Sequence, residues 1–108
     1  TLSSEQLDYA RQRLQCAGLA RLGDLRFQDY RDIPDGPFDA VVSIEMFEAV
    51  GRAYWDGYFR TLSDKLKPGG RACIQSIVIA DRHFERYLRG TDFIQQYIFP
   101  GGCLPSPG

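Results

Sequence analysis

Two carboxylates, Glu45 and Glu48, stand where a core strand ends. They lie in the run Ser43-Ile44-Glu45-Met46-Phe47-Glu48-Ala49-Val50-Gly51, directly after Phe38-Asp39-Ala40-Val41-Val42. The preceding run is short and apolar, as a buried strand is. In open α/β sheets, ligands sit just outside the carboxyl ends of the strands. An acid placed there can hold a proton, accept one or orient a ligand. Residues three apart share a face of a helical turn, so Glu45 and Glu48 can act together. Met46 and Phe47 face elsewhere and pack. The same acids also fit a solvated helix start favoured by the helix dipole.

Three further sets have useful chemistry. Gln75, Ser76 and Ile77 fall within a later strand, the third in the chain. The Gln75 amide can donate a hydrogen bond, but it cannot carry positive charge or pass a proton. Read plainly, it is a strand-end residue bonded to loops. Thr1 and Gln6 flank a helix start, where free backbone N–H groups suit a polar ligand. Gln6 also serves simply as part of a capping box. Asp29 and Tyr30 follow a short strand and offer an acceptor and a flat ring, or else a turn-forming Asx residue before an exposed tyrosine. No metal site is expected. Cys16, Cys73 and Cys103 are widely spaced without a Cys-x-x-Cys pair, and His83 is the single histidine. His83 lies on a charged helix and reads as a surface residue.

The elements that position these residues follow from spacing. Ser3 as N-cap and Gln6 three residues later open a helix. Leu7, Ala10, Leu14 and Ala17 form its apolar stripe, and Gly18 closes it with Leu19 beyond. A short strand is expected over Leu25–Gln28, then a loop from Asp29 to Pro37. A strand over Phe38–Ile44 follows. Trp55, Tyr58, Phe59, Leu62 and Leu66 recur at helical spacing and predict a helix over Arg52–Lys67. Tyr54 and Trp55 are expected to anchor that helix on the sheet. Pro68-Gly69-Gly70 stops it. A third strand is expected over Arg71–Ile79, a charged helix over Asp81–Arg89, and a further helical stretch over 93–98 ending before Pro100. Strands separated by helices imply crossovers and a parallel sheet.

Bulk composition removes several classes of function. The chain has 108 residues, 44% hydrophobic and 25% charged, with a net charge of −1. That length bounds it at one domain. Its Arg residues are interleaved with acids, which argues against a nucleic-acid partner. No apolar run approaches the roughly 18 residues of a membrane span. The isolated cysteines fit reduced thiols in a cytoplasmic protein. Starting at Thr1 rather than Met, and closing in a Pro/Gly-rich loop, the sequence is expected to be a piece of a longer protein.

The Ser43–Gly51 block and the block Tyr97-Ile98-Phe99-Pro100-Gly101-Gly102-Cys103-Leu104-Pro105-Ser106 together resemble the cyclopropane-fatty-acyl-phospholipid synthase family. These are S-adenosylmethionine-dependent methyltransferases, and the resemblance spans nearly the whole chain. It implies a partial Rossmann-like α/β fold, three-layered with a mostly parallel sheet, lacking the first and last strands. It implies one partial methyltransferase domain over residues 1–108. The chain has no G-x-G-x-x-G turn, and Gly69-Gly70 and Gly101-Gly102 lie in other contexts. The family carries its Gly-rich loop upstream of the segment matching Thr1, so the isolated chain is expected to be inactive.

The resemblance also assigns roles. Thr1 and Gln6 fall on the cofactor side, near ribose and amino-acid portion. Asp29 would accept from the adenine amino group, with Tyr30 over the purine and Glu45 near the cofactor pocket. Glu48 matches a glutamate that helps hold bicarbonate. Ile77 matches an isoleucine whose backbone N–H contacts the same ion. Gln75 stands where well-studied members have histidine, so bicarbonate is left open here. The 97–106 block leads toward the lipid side, or else covers the core. The implied reaction starts with attack of an acyl-chain alkene on the sulfonium methyl, and a base then removes a proton as a cyclopropane ring closes. The implied partners are a phospholipid acyl chain and a membrane surface, with the protein cytoplasmic and peripheral to the inner face. Exposed strand edges leave homo-oligomers open. Two other readings stand beside this one: a methyltransferase of the same fold on another lipid or small molecule, and a catalytically silent fragment that folds or self-associates.

Overall fold

The computed structural model describes residues 1–90 and 101–108. The helix expected over 93–98 lies outside the described residues. The chain divides into two compact units, Thr1–Asp35 and Gly36–Gly108.

In the first unit, α1 spans Ser4–Cys16. Ser3 caps it, accepting from Gln6 N at 3.2 Å. The return arm of the box runs through a relay. Ser3 N donates to Thr1 Oγ1 at 3.1 Å, and Thr1 Oγ1 donates to Gln6 Oε1 at 2.9 Å. At the other end Leu19 N reaches Leu14 O at 2.8 Å and Gly18 N reaches Gln15 O at 3.0 Å. With Gly18 at φ 68° this is the expected Schellman closure. Leu7 is buried, and Ala10 and Leu14 are half-buried on the expected stripe.

The strand expected over Leu25–Gln28 does not form. Its described cross-segment backbone bonds go to Thr1, with Gln28 N on Thr1 O at 3.0 Å and Thr1 N on Arg26 O at 3.2 Å. One partner residue cannot sustain a ladder, whatever the β-propensity of the run. A single 3₁₀ turn then covers Tyr30–Asp32.

The second unit holds a parallel pair, β1 (Phe38–Ile44) and β2 (Leu66–Gln75). The α/β class and the parallel pairing are as expected, but among the described residues the sheet has two strands rather than three. Between the strands the chain crosses over through α2 (Phe47–Val50), a 3₁₀ turn (Arg52–Tyr54) and α3 (Trp55–Asp64). The helix expected over Arg52–Lys67 therefore ends earlier. Leu66 pairs with Phe38 instead of adding to the helix stripe. The ladder then slips around Pro68, which has no N–H to donate, and resumes at Ala40 opposite Arg71. A Lys67–Asp39 ion pair of 2.8 Å spans the slip.

β2 also stops at Gln75, not at Ile79 as expected. Its last partner is Ile44, where β1 ends. Ile77 N and Ile79 N find acceptors outside the sheet, on Glu48 and Pro105. The charged helix forms where expected, as α4 (Asp81–Arg89), with His83 exposed on it.

The core of this unit is aromatic. Tyr58 is fully buried and Phe47 nearly so. The Phe47 ring lies 5.2 Å from Trp55, 4.9 Å from Tyr58 and 5.2 Å from Phe59. Tyr58 OH reaches down to the sheet and donates to buried Ser43 Oγ at 2.7 Å. Trp55 is half-buried and packs on Phe47 of α2 and on Phe84, while Tyr54, also expected to anchor the helix on the sheet, is 61% exposed. Alternation along β1 puts Ser43 under this cluster and leaves Val42 and Ile44 on the open face.

Candidate active site

Glu48 is the second residue of α2, which begins three residues after β1 ends. The turn between them needs an uncommon backbone conformation, since Glu45 sits at φ 50° without being glycine. That conformation is braced from β2: Glu45 N donates to Gln75 O at 2.8 Å, and Gln75 Nε2 lies 3.5 Å from Glu45 Oε1. The expected pairing of the two acids on one face does not arise. Glu45 lies in the bend after β1, while Glu48 belongs to the helix.

Glu48 is held at three points. Its Oε1 accepts from Ile77 N at 3.2 Å, and its Oε2 accepts from Ser76 Oγ at 2.9 Å. Its backbone O accepts from Cys103 N at 2.8 Å. Glu48 and Ile77, singled out separately in the sequence, thus meet in one hydrogen bond, with Gln75 and Glu45 beside them at the tips of β1 and β2. The 101–105 segment fastens this corner further. Leu104 N donates to Tyr87 OH of α4 at 3.1 Å, and Pro105 O accepts from Ile79 N at 2.9 Å. Gly51 lies so close to it that a Cβ there would meet Gly101 O at 2.8 Å. The described end of this block thus acts as a strap over the site corner. Burial pushes the Cys103 thiol up, which keeps it protonated and unsuited to be a nucleophile.

Thr1, Gln6, Asp29 and Tyr30 all belong to the first unit. Thr1 and Gln6 bond each other in the capping relay. Asp29 accepts from Arg31 N at 2.9 Å and pairs with the Arg31 guanidinium at 2.8 Å. Those hydrogen bonds, side chain first and backbone second, hold its carboxyl down at about 2. It is therefore a fixed anionic acceptor, and also the Asx cap of the Tyr30–Asp32 turn. A cavity of about 350 Å³ in this unit is bordered by Arg11, Gln15 and Asp24, and none of the four candidates lines it.

Sequence reasoning gave no role to Ser76 or to the backbone of Cys103. The signal for Ser76 was its place between Gln75 and Ile77; for Cys103 there was none, because a main-chain donor leaves no mark on residue type. Among the described residues no cluster of His, Cys, Asp or Glu could hold a metal ion, and no helix is long and apolar enough to cross a membrane.

Known proteins resemble the chain along its whole length. A family profile described as mycolic acid cyclopropane synthetase matches residues 1–108. The tuberculostearic acid methyltransferase UfaA1 of Mycobacterium tuberculosis is 45% identical over 106 residues, covering 98% of this chain and 25% of that protein. A probable fatty acid methyltransferase of Pseudomonas putida is 43% identical over 107 residues, 97% of this chain and 27% of the relative. The cyclopropane-fatty-acyl-phospholipid synthase of Escherichia coli is 41% identical over 106 residues, again 98% and 25%. The chain spans about a quarter of the length of these relatives.

Proposed function

Since this chain belongs to the mycolic acid cyclopropane synthetase family, we propose that the protein carrying it transfers the methyl group of S-adenosylmethionine to an unsaturated phospholipid acyl chain and closes a cyclopropane ring. The observation that carries this reading is the Glu48 carboxylate, oriented on both oxygens at the strand tips.

When bound, S-adenosylmethionine supplies an electrophilic methyl group. The described residues fit its polar parts chemically. Asp29 stays anionic and can accept from an amino group; the Thr1 hydroxyl and Gln6 amide can bond ribose or amino-acid groups by exchanging out of their mutual contact. Ring closure releases a proton, and its acceptor belongs beside Glu48. Gln75 Nε2 is a donor suited to an oxyanion such as bicarbonate, whereas Ile77 N–H is already given to Glu48 Oε1 and would reach such an ion only by leaving that bond. Glu48 would border such an ion only by sharing a proton with it, because two bare anions in contact repel. Rate enhancement then rests mainly on alignment in a site that excludes water. A phospholipid substrate places the protein against a membrane surface, and we propose a cytoplasmic, peripheral location.

A second reading, methyl transfer without ring closure or on another lipid, is favoured by Gln75, whose amide cannot relay a proton. The test uses the protein carrying this chain with S-adenosylmethionine and vesicles of monounsaturated phospholipid. Gain of one methylene unit with loss of the alkene supports cyclopropanation, and a methylated chain without a ring supports the second reading. No methyl transfer from wild type refutes both. Glu48→Gln should lower kcat by about 10²–10⁴-fold while leaving S-adenosylhomocysteine affinity unchanged in calorimetric titration.

A further inference from the structure

We infer that Ser76 is a positioning residue for the reaction: its hydroxyl fixes the plane of the Glu48 carboxylate. The inference rests on the proposed reading of Glu48. A glutamate's last torsion is broad and roughly two-fold, so one donor leaves the group free to swing. Two donors on different oxygens set its plane. Ile77 N supplies one, on Oε1 at 3.2 Å. Ser76 Oγ supplies the other, on Oε2 at 2.9 Å.

The serine has one proton to give. Its alternative acceptor, Ile77 O, lies at 3.3 Å and is neutral. The shorter, charge-assisted bond to Glu48 is the stronger of the two. Both donors come from adjacent residues just past the last rung of β2, so the end of the sheet presents them as one rigid fork. From the other side, Cys103 N holds the Glu48 backbone at 2.8 Å. The backbone contacts are insensitive to residue type. The Ser76 hydroxyl is the side-chain contact on which the orientation of Glu48 depends.

The experiment compares Ser76→Ala and Ser76→Thr in the protein carrying this chain. Wild type is assayed first; if it transfers no methyl group, the reading of Glu48 has failed, separately from the role of Ser76. With active wild type, Ser76→Ala should lower kcat by about 10- to 100-fold, the effect of a misplaced reacting group. KM for the lipid and affinity for S-adenosylhomocysteine should stay at wild-type values. Ser76→Thr, which keeps the hydroxyl, should restore kcat. An unchanged kcat in Ser76→Ala overturns the inference, as does a Thr variant no better than Ala, or a rise in KM that accounts for the whole loss. If the Ala variant does not fold, Ser76→Cys decides: its weak S–H donor should give a kcat below wild type at unchanged KM, and full wild-type kcat overturns the inference.

Discussion

Replacing Gly51 by alanine tests whether the strap over the site corner matters. Gly51 is buried at φ 83° and ψ 143°, a region that residues with a Cβ rarely enter. An alanine there carries about 1–3 kcal/mol of backbone strain. Its Cβ would also stand 2.8 Å from Gly101 O, whereas ordinary contacts begin near 3.4 Å. The oxygen must retreat by the difference, about 0.6 Å. Two residues on, Cys103 N is bonded to Glu48 O at 2.8 Å. A shift of that size weakens a bond worth about 1 kcal/mol. The expected loss is about 2–4 kcal/mol in all. Gly69→Ala is the control: it has φ 78° but nothing within 4 Å of its Cβ position, so it bears strain of about 1–2 kcal/mol alone. Denaturant unfolding of both variants, with kcat measured beside it, separates the contributions. Gly51→Ala should be the less stable and should lose kcat by roughly tenfold or more, since Glu48 moves with the strap. Gly69→Ala should keep kcat. Equal stabilities, or a destabilised Gly51→Ala with full kcat, would refute the coupling of strap to site.

Two other expectations follow from the same geometry. Tyr58→Phe deprives buried Ser43 of its described donor and should destabilise by about 1–3 kcal/mol, while the Tyr58→Phe/Ser43→Ala double variant should recover much of that; a double-mutant cycle with no coupling contradicts the role of this bond. Asp29, with its folded value lowered to about 2, stabilises the fold above its unfolded value near 3.9, and this contribution disappears as pH falls between the two. Asp29→Asn should therefore flatten the acid side of the stability–pH curve by about 0.5–1 kcal/mol, the range for a partly exposed pair, read from urea midpoints at about pH 5 and pH 2.5. Parallel curves for the two proteins would contradict it.

What the sequence made legible were features with local causes. Ser3 and Gln6 announce the start of α1, and Gly18 its end, because caps depend on a few adjacent residues. β1 and α4 have the expected bounds, since their patterns change sharply at both ends. The start of β2 was hidden because Leu66 continues the apolar spacing of α3, and only its pairing with Phe38 claims it for the sheet. Leu25–Gln28 has strand-like composition, but a strand needs a partner that propensity does not supply. At the site, Glu48 and Ile77 were visible by type and resemblance. The contact between them was not, because it joins residues 29 apart through a main-chain donor.

The parallel register has a consequence for how the protein is made. Phe38 waits for Leu66 and Ala40 for Arg71, so each rung joins positions about thirty residues apart. Closing so long a loop is entropically unfavourable until the intervening helices are in place to shorten it. At roughly 5–20 residues/s, a ribosome needs about 2–6 s to deliver the second strand after the first has emerged. Throughout that interval Val42 and Ile44 travel with an unsatisfied hydrogen-bonding edge, the stage at which a nascent chain is most easily captured by a chaperone or by its neighbours.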